Sequence, residues 1–190
     1  LFTRPGHSIR DFINGKRVKY FSFVTLLLIV LGVSLFVDEY SHVKLSDIMP
    51  DSSKESMNAI EEFTKEHPKL AMFLAIPFYS VFTFIWFRKS KLNLSEHFVL
   101  NSYKTIAESI IALVFTIITV IYTNQKGLII IYSFVMILSL VYSFWFYKQF
   151  FSAYGYSKIS IIFRSIGAIF SYMFLSFILG IVLEILKIGK

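Results

Sequence analysis

The sequence predicts an all-α, polytopic membrane protein with about five transmembrane helices, an N-terminal interfacial helix and one amphipathic helix in an outer loop. Of its 190 residues, 56% are apolar and only 16% are charged, whereas a water-soluble domain carries roughly 25% charged residues. Charge is missing altogether from five long runs at residues 20–37, 70–87, 109–123, 127–147 and 165–183. These observations favour lipid over water as the solvent for most of the chain.

The lengths of the runs set the number of spans. About 20 mostly apolar residues cross the roughly 30 Å of hydrocarbon in a bilayer. Four runs have nearly that length, and the third reaches it if its helix starts upstream, near Val99. We therefore predict one transmembrane domain at 20–187, with spans at about 20–37, 70–87, 99–123, 127–147 and 162–184. A soluble protein with helices apolar all round would have too little polar surface to face water.

The segments between the runs alternate in charge. The predicted outer loop, residues 38–69, holds eight acidic residues against four lysines. Basic residues concentrate instead in the N-terminal segment and in the second and fourth connections: Arg4, Arg10, Lys16, Arg17, Lys19, Arg88, Lys89, Lys91, Lys148 and Lys158. By the positive-inside rule, this predicts a cytoplasmic amino terminus and an extracytoplasmic carboxyl terminus. The net charge of +7 then reflects topology, and we expect no nucleic-acid binding.

Two short helices are predicted outside the spans. Residues 1–19 form a cytoplasmic interfacial segment, in which a helix begins at Pro5 and ends near Gly15, on an anionic leaflet; a basic soluble linker is the alternative. In the outer loop, the sequence from Ser52 to Glu55 has capping-box spacing. Apolar residues follow at helical intervals at Met57, Ile60 and Phe63. The resulting amphipathic helix, ending before Pro68, would lie on the membrane or bind another protein.

Polar residues form a stripe in the third span. His97, Asn101, Lys104 and Glu108 are four, three and four residues apart, so a helix places them on one face. If the hydrocarbon begins near His97, Glu108 lies about 16 Å deep. A lone charge there costs at least roughly 2.5–3.5 kcal/mol, so Glu108 needs a partner, either Lys104 or Arg164.

The candidate intramembrane polar cluster therefore consists of His97, Asn101, Lys104, Glu108 and Arg164. In a functional interpretation, these residues line a cavity or ion path, or hold a lipid headgroup or a charged helix of another subunit. In a structural interpretation, Lys104 snorkels to the interface, while Glu108 pairs with Lys104 or Arg164 and fixes helix packing.

No catalytic, cofactor-binding or metal-ligating residue is predicted. The sequence has no H-E-x-x-H, no G-x-S-x-G and no phosphate-binding glycine loop. Its four histidines are scattered, and it has no cysteine. We therefore expect no cofactor and no enzymatic activity.

A block near the amino terminus resembles a known family. It comprises Arg4-Pro5-Gly6 and the stretch from Ile9 to Tyr20, and Glu96-His97 follows at a later span. This pattern is similar to an uncharacterised bacterial membrane family, catalogued as domain of unknown function 3667. The resemblance implies an inner-membrane location and supplies no activity. Many members carry an N-terminal zinc ribbon that this sequence lacks, so we expect these residues to be part of a longer protein.

The predicted function is that of a non-enzymatic membrane subunit, an accessory or scaffold protein of a larger bacterial envelope complex. Its expected partners are the lipid bilayer and other membrane protein subunits. The alternative is a small transporter, channel or lipid-handling protein that uses the polar stripe of the third span.

Overall fold

The computed structural model describes residues 2–16, 21–41, 63 and 66–188, without the side chains of residues 68–73 and 183–188. Throughout these ranges the regular structure is helical, which confirms the all-α prediction for them. Among the described residues, six α-helices follow in chain order: α1 Pro5–Ile13, α2 Phe23–Asp38, α3 Pro68–Trp86, α4 Leu94–Ile121, α5 Gln125–Phe151 and α6 Lys158–Ile188. Short 3-10 turns at Arg88–Ser90 and Ser152–Tyr154 follow α3 and α5.

In the part of the chain that the structure describes, three helices are long and apolar enough to cross a bilayer, at Leu94–Ile121, Gln125–Tyr154 and Lys158–Val182. The apolar stretches Phe23–Asp38 and Leu74–Trp86 are shorter. Large side chains such as Ile130 and Phe163 are 71% and 67% exposed, an arrangement that suits lipid better than water. The length and composition of these helices are compatible with a membrane protein, while the number of five spans stays a prediction.

A side-chain cap sets the start of α4. Asn93 Oδ1 accepts a hydrogen bond from Glu96 N at 2.9 Å, and Glu96 Oε2 accepts one from Asn93 N at 2.7 Å. This reciprocal cap satisfies amides that have no partner inside the helix. The helix consequently begins at Leu94, five residues before the predicted span, and brings His97 into its first turns.

Helix α4 is the centre of the bundle, because it contacts α1, α2, α3 and α5. Helix α6 packs on α3 and α5. Leu100, Ile106 and Ala107 of α4 are fully buried. Tyr103 extends this contact by donating from its hydroxyl to the Phe21 carbonyl at 2.6 Å, which ties the chain entering α2 to α4.

The end of α5 is covered by α1, and we call this end of the bundle the α1 end. Gly6 N donates to Gln149 Oε1 at 2.7 Å. Arg10 donates to the carbonyls of Gln149 and Phe150, in a turn whose carbonyls lack helical partners and attract cations. Because Ile9 is only 1% exposed, α1 packs its apolar face on protein. Its sequence-predicted stop is also present, as Gly15 has a φ of 96°.

Aromatic rings join α3 and α5 at the α1 end. The rings of Phe87 and Phe151 stack with centroids 3.7 Å apart and an interplanar angle of 4°. Tyr156 meets Phe87 edge-on at 5.6 Å. Phe87 and Phe151 are both fully buried, so this contact fixes where α3 ends relative to α5. The amphipathic helix predicted in the outer loop lies outside the described residues.

Gly6→Ala is expected to loosen α1 from α5, because a Cβ at Gly6 would lie 2.5 Å from the backbone carbon of Gln149. Overpacking of this kind typically costs about 1–3 kcal/mol. Thermal unfolding of the detergent-purified protein should therefore show a lower midpoint. Gly32→Ala is the matched control, since nothing lies within 4 Å of a Cβ there. Equal midpoints for the two variants would contradict the proposed close contact.

Candidate functional site: a polar network inside the bundle

The stripe of polar residues on α4 faces the interior of the bundle. His97 and Asn101 are fully buried, and Lys104 is 1% exposed. The side chain of Glu108, halfway along the helix, is 23% exposed. Helix α4 can place these four residues on one line because their spacing matches the helical period.

Lys104 and Glu108 form an ion pair one helical turn apart. Lys104 Nζ donates to both carboxylate oxygens of Glu108 at 2.7 Å. The ammonium also lies 4.2 Å from the centroid of the Tyr79 ring, whose face attracts cations. Ser143 Oγ donates to Glu108 Oε1. The two charges therefore neutralise each other within α4, α5 adds a hydrogen bond, and α3 adds a cation–π contact.

The network reaches α6 through a pair of aromatic rings. Tyr79 stacks on Tyr172 with centroids 3.6 Å apart and an interplanar angle of 16°. Ser143 of α5 lies on the other side of the ion pair. Side chains of four helices, α3 to α6, therefore meet around it. A change in the position of this pair would disturb all four.

Asn101 makes three hydrogen bonds within the network. Its Nδ2 donates to Thr83 Oγ1 at 2.7 Å and to the His97 carbonyl at 2.8 Å. Its Oδ1 accepts from the Tyr147 hydroxyl at 2.9 Å. Both the donor and the acceptor sides of the buried amide are thus satisfied, as burial away from water requires.

His97 is held by a hydrogen bond to Thr83 and by two aromatic rings. The Thr83 hydroxyl donates to the Tyr79 carbonyl at 3.0 Å. His97 Nδ1 lies 3.1 Å from the oxygen of that hydroxyl, so the tautomer of the ring decides which of the two groups donates. The imidazole also contacts the rings of Phe84 and Phe151, which makes His97 part of the packed interior.

Arg164 is not part of this network. Its Nε donates to Ser160 Oγ at 3.1 Å, and its Nη1 donates to the Trp86 carbonyl. Trp86 is the last residue of α3, so its carbonyl has no N–H donor within the helix. Arg164 supplies the missing donor. Of the two partners considered for Glu108, the structure uses Lys104. Lys104 does not snorkel to the interface either, because it points to Glu108 inside the bundle.

Sequence reasoning missed the partners that α3 and α5 contribute: Tyr79, Thr83, Ser143 and Tyr147. The available signal was their spacing, since Tyr79 and Thr83 are four residues apart, as are Ser143 and Tyr147. Hydroxyl residues are common in apolar helices, however, and spacing alone does not tell which helices meet.

The small residues Gly167 and Ser171 of α6 accommodate a tryptophan. A Cβ at Gly167 would lie 2.5 Å from the Trp86 ring. Trp86 Nε1 donates to Ser171 Oγ at 3.2 Å. Trp86 therefore joins α3 to α6.

Burial affects the pKa of one arginine at the α1 end. Burial lowers the pKa of Arg10, although nearby Tyr154 and Asp11 oppose this shift. An arginine remains charged despite such a shift, so Arg10 keeps its interaction with the end of α5. Among the residues that the structure describes, no three His, Asp or Glu side chains are placed to hold a metal ion.

Comparison with known proteins gives one match, limited to the amino terminus. Residues 1–35 match the family described as "Protein of unknown function (DUF3667)". This stretch contains α1, with Gly6 and Arg10, and most of α2. It supports membership of that family, and it ends before every residue of the polar network. No curated protein and no solved structure matches the chain.

Glu108→Leu is expected to destabilise the protein by about 3–5 kcal/mol, since it leaves the Lys104 ammonium buried without its counter-ion. The double variant Lys104→Met/Glu108→Leu removes both charges and should recover most of that loss. Unfolding of the two variants in the same detergent measures the difference. If Glu108→Leu is as stable as the double variant, the buried Lys104 ammonium does not need the Glu108 carboxylate to neutralise it.

Proposed function

We propose that this protein is a non-enzymatic integral membrane subunit that serves as an accessory or scaffold in a larger assembly of the bacterial envelope. The three long apolar helices and the match to a family of unknown function are compatible with that role. The observation that carries the proposal is the outward-facing surface of these helices. In the most apolar 18-residue stretch of each, only 17–22% is buried inside the chain.

The polar network in the interior of the bundle also supports this proposal. Lys104, Asn101 and Thr83 bind other groups of the same chain, so their evident role is to hold α3, α4 and α5 together. The surface that remains for other molecules is then the apolar exterior, notably of α5 and α6. Such a surface suits lipid and the helices of neighbouring subunits, which associate by van der Waals packing.

We further propose that the protein lies in the bacterial inner membrane with the α1 end on the cytoplasmic side. The exposed basic residues Arg88 and Lys89 lie in the turn after α3, and exposed Lys158 begins α6 at the same end. The opposite end is marked by a hydrogen bond of 2.9 Å between Ser41 and Thr119. Asp38 and Glu39 lie close to Ser41 in the chain, so the described residues put acidic groups near this end and basic groups at the α1 end, as the positive-inside rule requires.

A second candidate function is that of a small transporter, channel or lipid-handling protein. It is favoured by one observation, the 23% exposure of the Glu108 side chain halfway along α4. A charged group at that depth is costly unless paired, and such groups commonly mark substrate or ion paths.

Purification of the tagged protein from native membranes in mild detergent tests the leading proposal. We expect a membrane protein to copurify at a fixed stoichiometry, as measured by quantitative mass spectrometry. Two triple alanine variants, with equally exposed apolar faces, serve as mutual controls. They replace Ile130, Phe134 and Ile137 of α5, or Phe170, Phe174 and Phe177 of α6.

If the partner binds one of these faces, one triple variant loses it and the other retains it. A monomer without a stoichiometric companion would contradict the subunit role. Ion or lipid flux by that monomer in vesicles, lost in Lys104→Met/Glu108→Leu, would favour the second candidate.

Single-cysteine labelling tests the orientation, and the sequence has no cysteine to interfere. Asn14→Cys follows α1, and Asn124→Cys lies between α4 and α5; both asparagines are exposed. A membrane-impermeant maleimide should label Asn124→Cys in intact cells and Asn14→Cys only after the inner membrane is disrupted. The reverse result would require the opposite orientation.

A further inference from the structure

Two turns of the chain meet at the α1 end. One, residues 87–93, joins α3 to α4, and the other, residues 152–157, joins α5 to α6. Lys89 Nζ donates to the Gly155 carbonyl at 3.4 Å, and the stacked rings of Phe87 and Phe151 lie at the base of the contact. Side chains of both turns are therefore held close together.

Cations converge on one ring of this contact, that of Tyr156. Lys89 Nζ lies 6.0 Å from its centroid, and the Arg164 guanidinium carbon lies 5.3 Å from it. Tyr156 itself is 8% exposed, and burial raises the pKa of its hydroxyl, so the ring stays neutral. Arg88 is exposed in the first of these turns, and Lys158 is exposed at the start of α6, directly after the second.

No acidic residue offsets these cations within the turns. The sequence has none from 87 to 95 or from 152 to 183. The nearest along the chain, Glu96, has its carboxylate engaged by the Asn93 amide at 2.7 Å. The cluster thus carries a local excess of positive charge that favours an anion.

We propose that Arg88, Lys89, Lys158 and Arg164 form a binding site for the phosphate headgroup of an anionic phospholipid, and we call it the two-turn basic site. The positive charge of the site favours an anionic ligand. The location of the site favours a lipid as the source of that anion, because the turns lie at the ends of apolar helices, where headgroups are found.

Apolar side chains beside the cations favour a phospholipid over a soluble anion. Ile85 is 49% exposed near the end of α3, and Ile159 and Phe163 are 68% and 67% exposed in the first turns of α6. These residues supply a surface for an acyl chain next to the charges that bind the phosphate. A free phosphate or a nucleic acid would leave that surface unused. The inference depends on the membrane location alone and requires no partner subunit.

Native mass spectrometry of the full chain, delipidated in mild detergent, tests the site. The protein is titrated with phosphatidylglycerol and, separately, with zwitterionic phosphatidylcholine. We expect preferential binding of phosphatidylglycerol. Lys89→Gln and Lys158→Gln should each weaken it about fivefold, which corresponds to about 1 kcal/mol per cation near an anionic surface.

Lys126→Gln is the matched control, because it removes the same charge from an exposed position in the first turn of α5, at the opposite end of the bundle. It should leave binding unchanged. Both test residues are exposed, and unfolding midpoints equal to that of the wild type confirm intact folding.

Equal binding of the two lipids, or equal loss in Lys126→Gln, would overturn the proposal. Displacement of the lipid by equimolar glycerol 3-phosphate would also overturn it, by identifying a soluble-anion site. Copurification of a partner does not depend on any of these outcomes.

Discussion

The ion pair between Lys104 and Glu108 places two charges halfway along the central helix of an apolar bundle. Removing a charge from water costs several kcal/mol, and attraction between two charges offsets that cost only where geometry and hydrogen bonding are good. Both carboxylate oxygens bind the ammonium, Ser143 binds one of them, and the Tyr79 ring lies beneath the lysine. The pair is tolerable only while α3, α4 and α5 keep their relative positions. Packing of these helices and burial of the charge therefore depend on each other.

A second constraint operates at the α1 end, where the helices finish. Helix ends leave carbonyls without partners, and here side chains from elsewhere in the chain satisfy them. Arg10 binds the last turn of α5, and Arg164 binds the last carbonyl of α3. Gly6 and Arg10 fall within the stretch that matches the family of unknown function. That stretch thus contains the residues that dock α1 on the bundle, which gives part of the amino-terminal motif a structural role.

The order of polar residues on α4 was predictable from spacing. A four-three-four interval dictates a single face, and the cost of an isolated charge in lipid dictates that Glu108 finds a partner. Which partner it takes was open, since Lys104 and Arg164 were both plausible by depth. The choice follows from the packing of α6, whose register brings Arg164 to the end of α3 at Trp86. No property of α4 alone contains that information.

The sequence by itself determined that the chain is helical and suited to lipid, and that α4 carries its polar residues on one face, because both properties follow from local composition and period. Tertiary structure alone decided that Thr83, Ser143 and Tyr147 complete the network, and that α1 binds the end of α5. The physical reason is that hydrogen bonds between helices depend on their relative rotation and translation. The relative rotation and translation of the helices are fixed by many weak packing contacts between residues far apart in the sequence, and no local sequence pattern predicts these contacts.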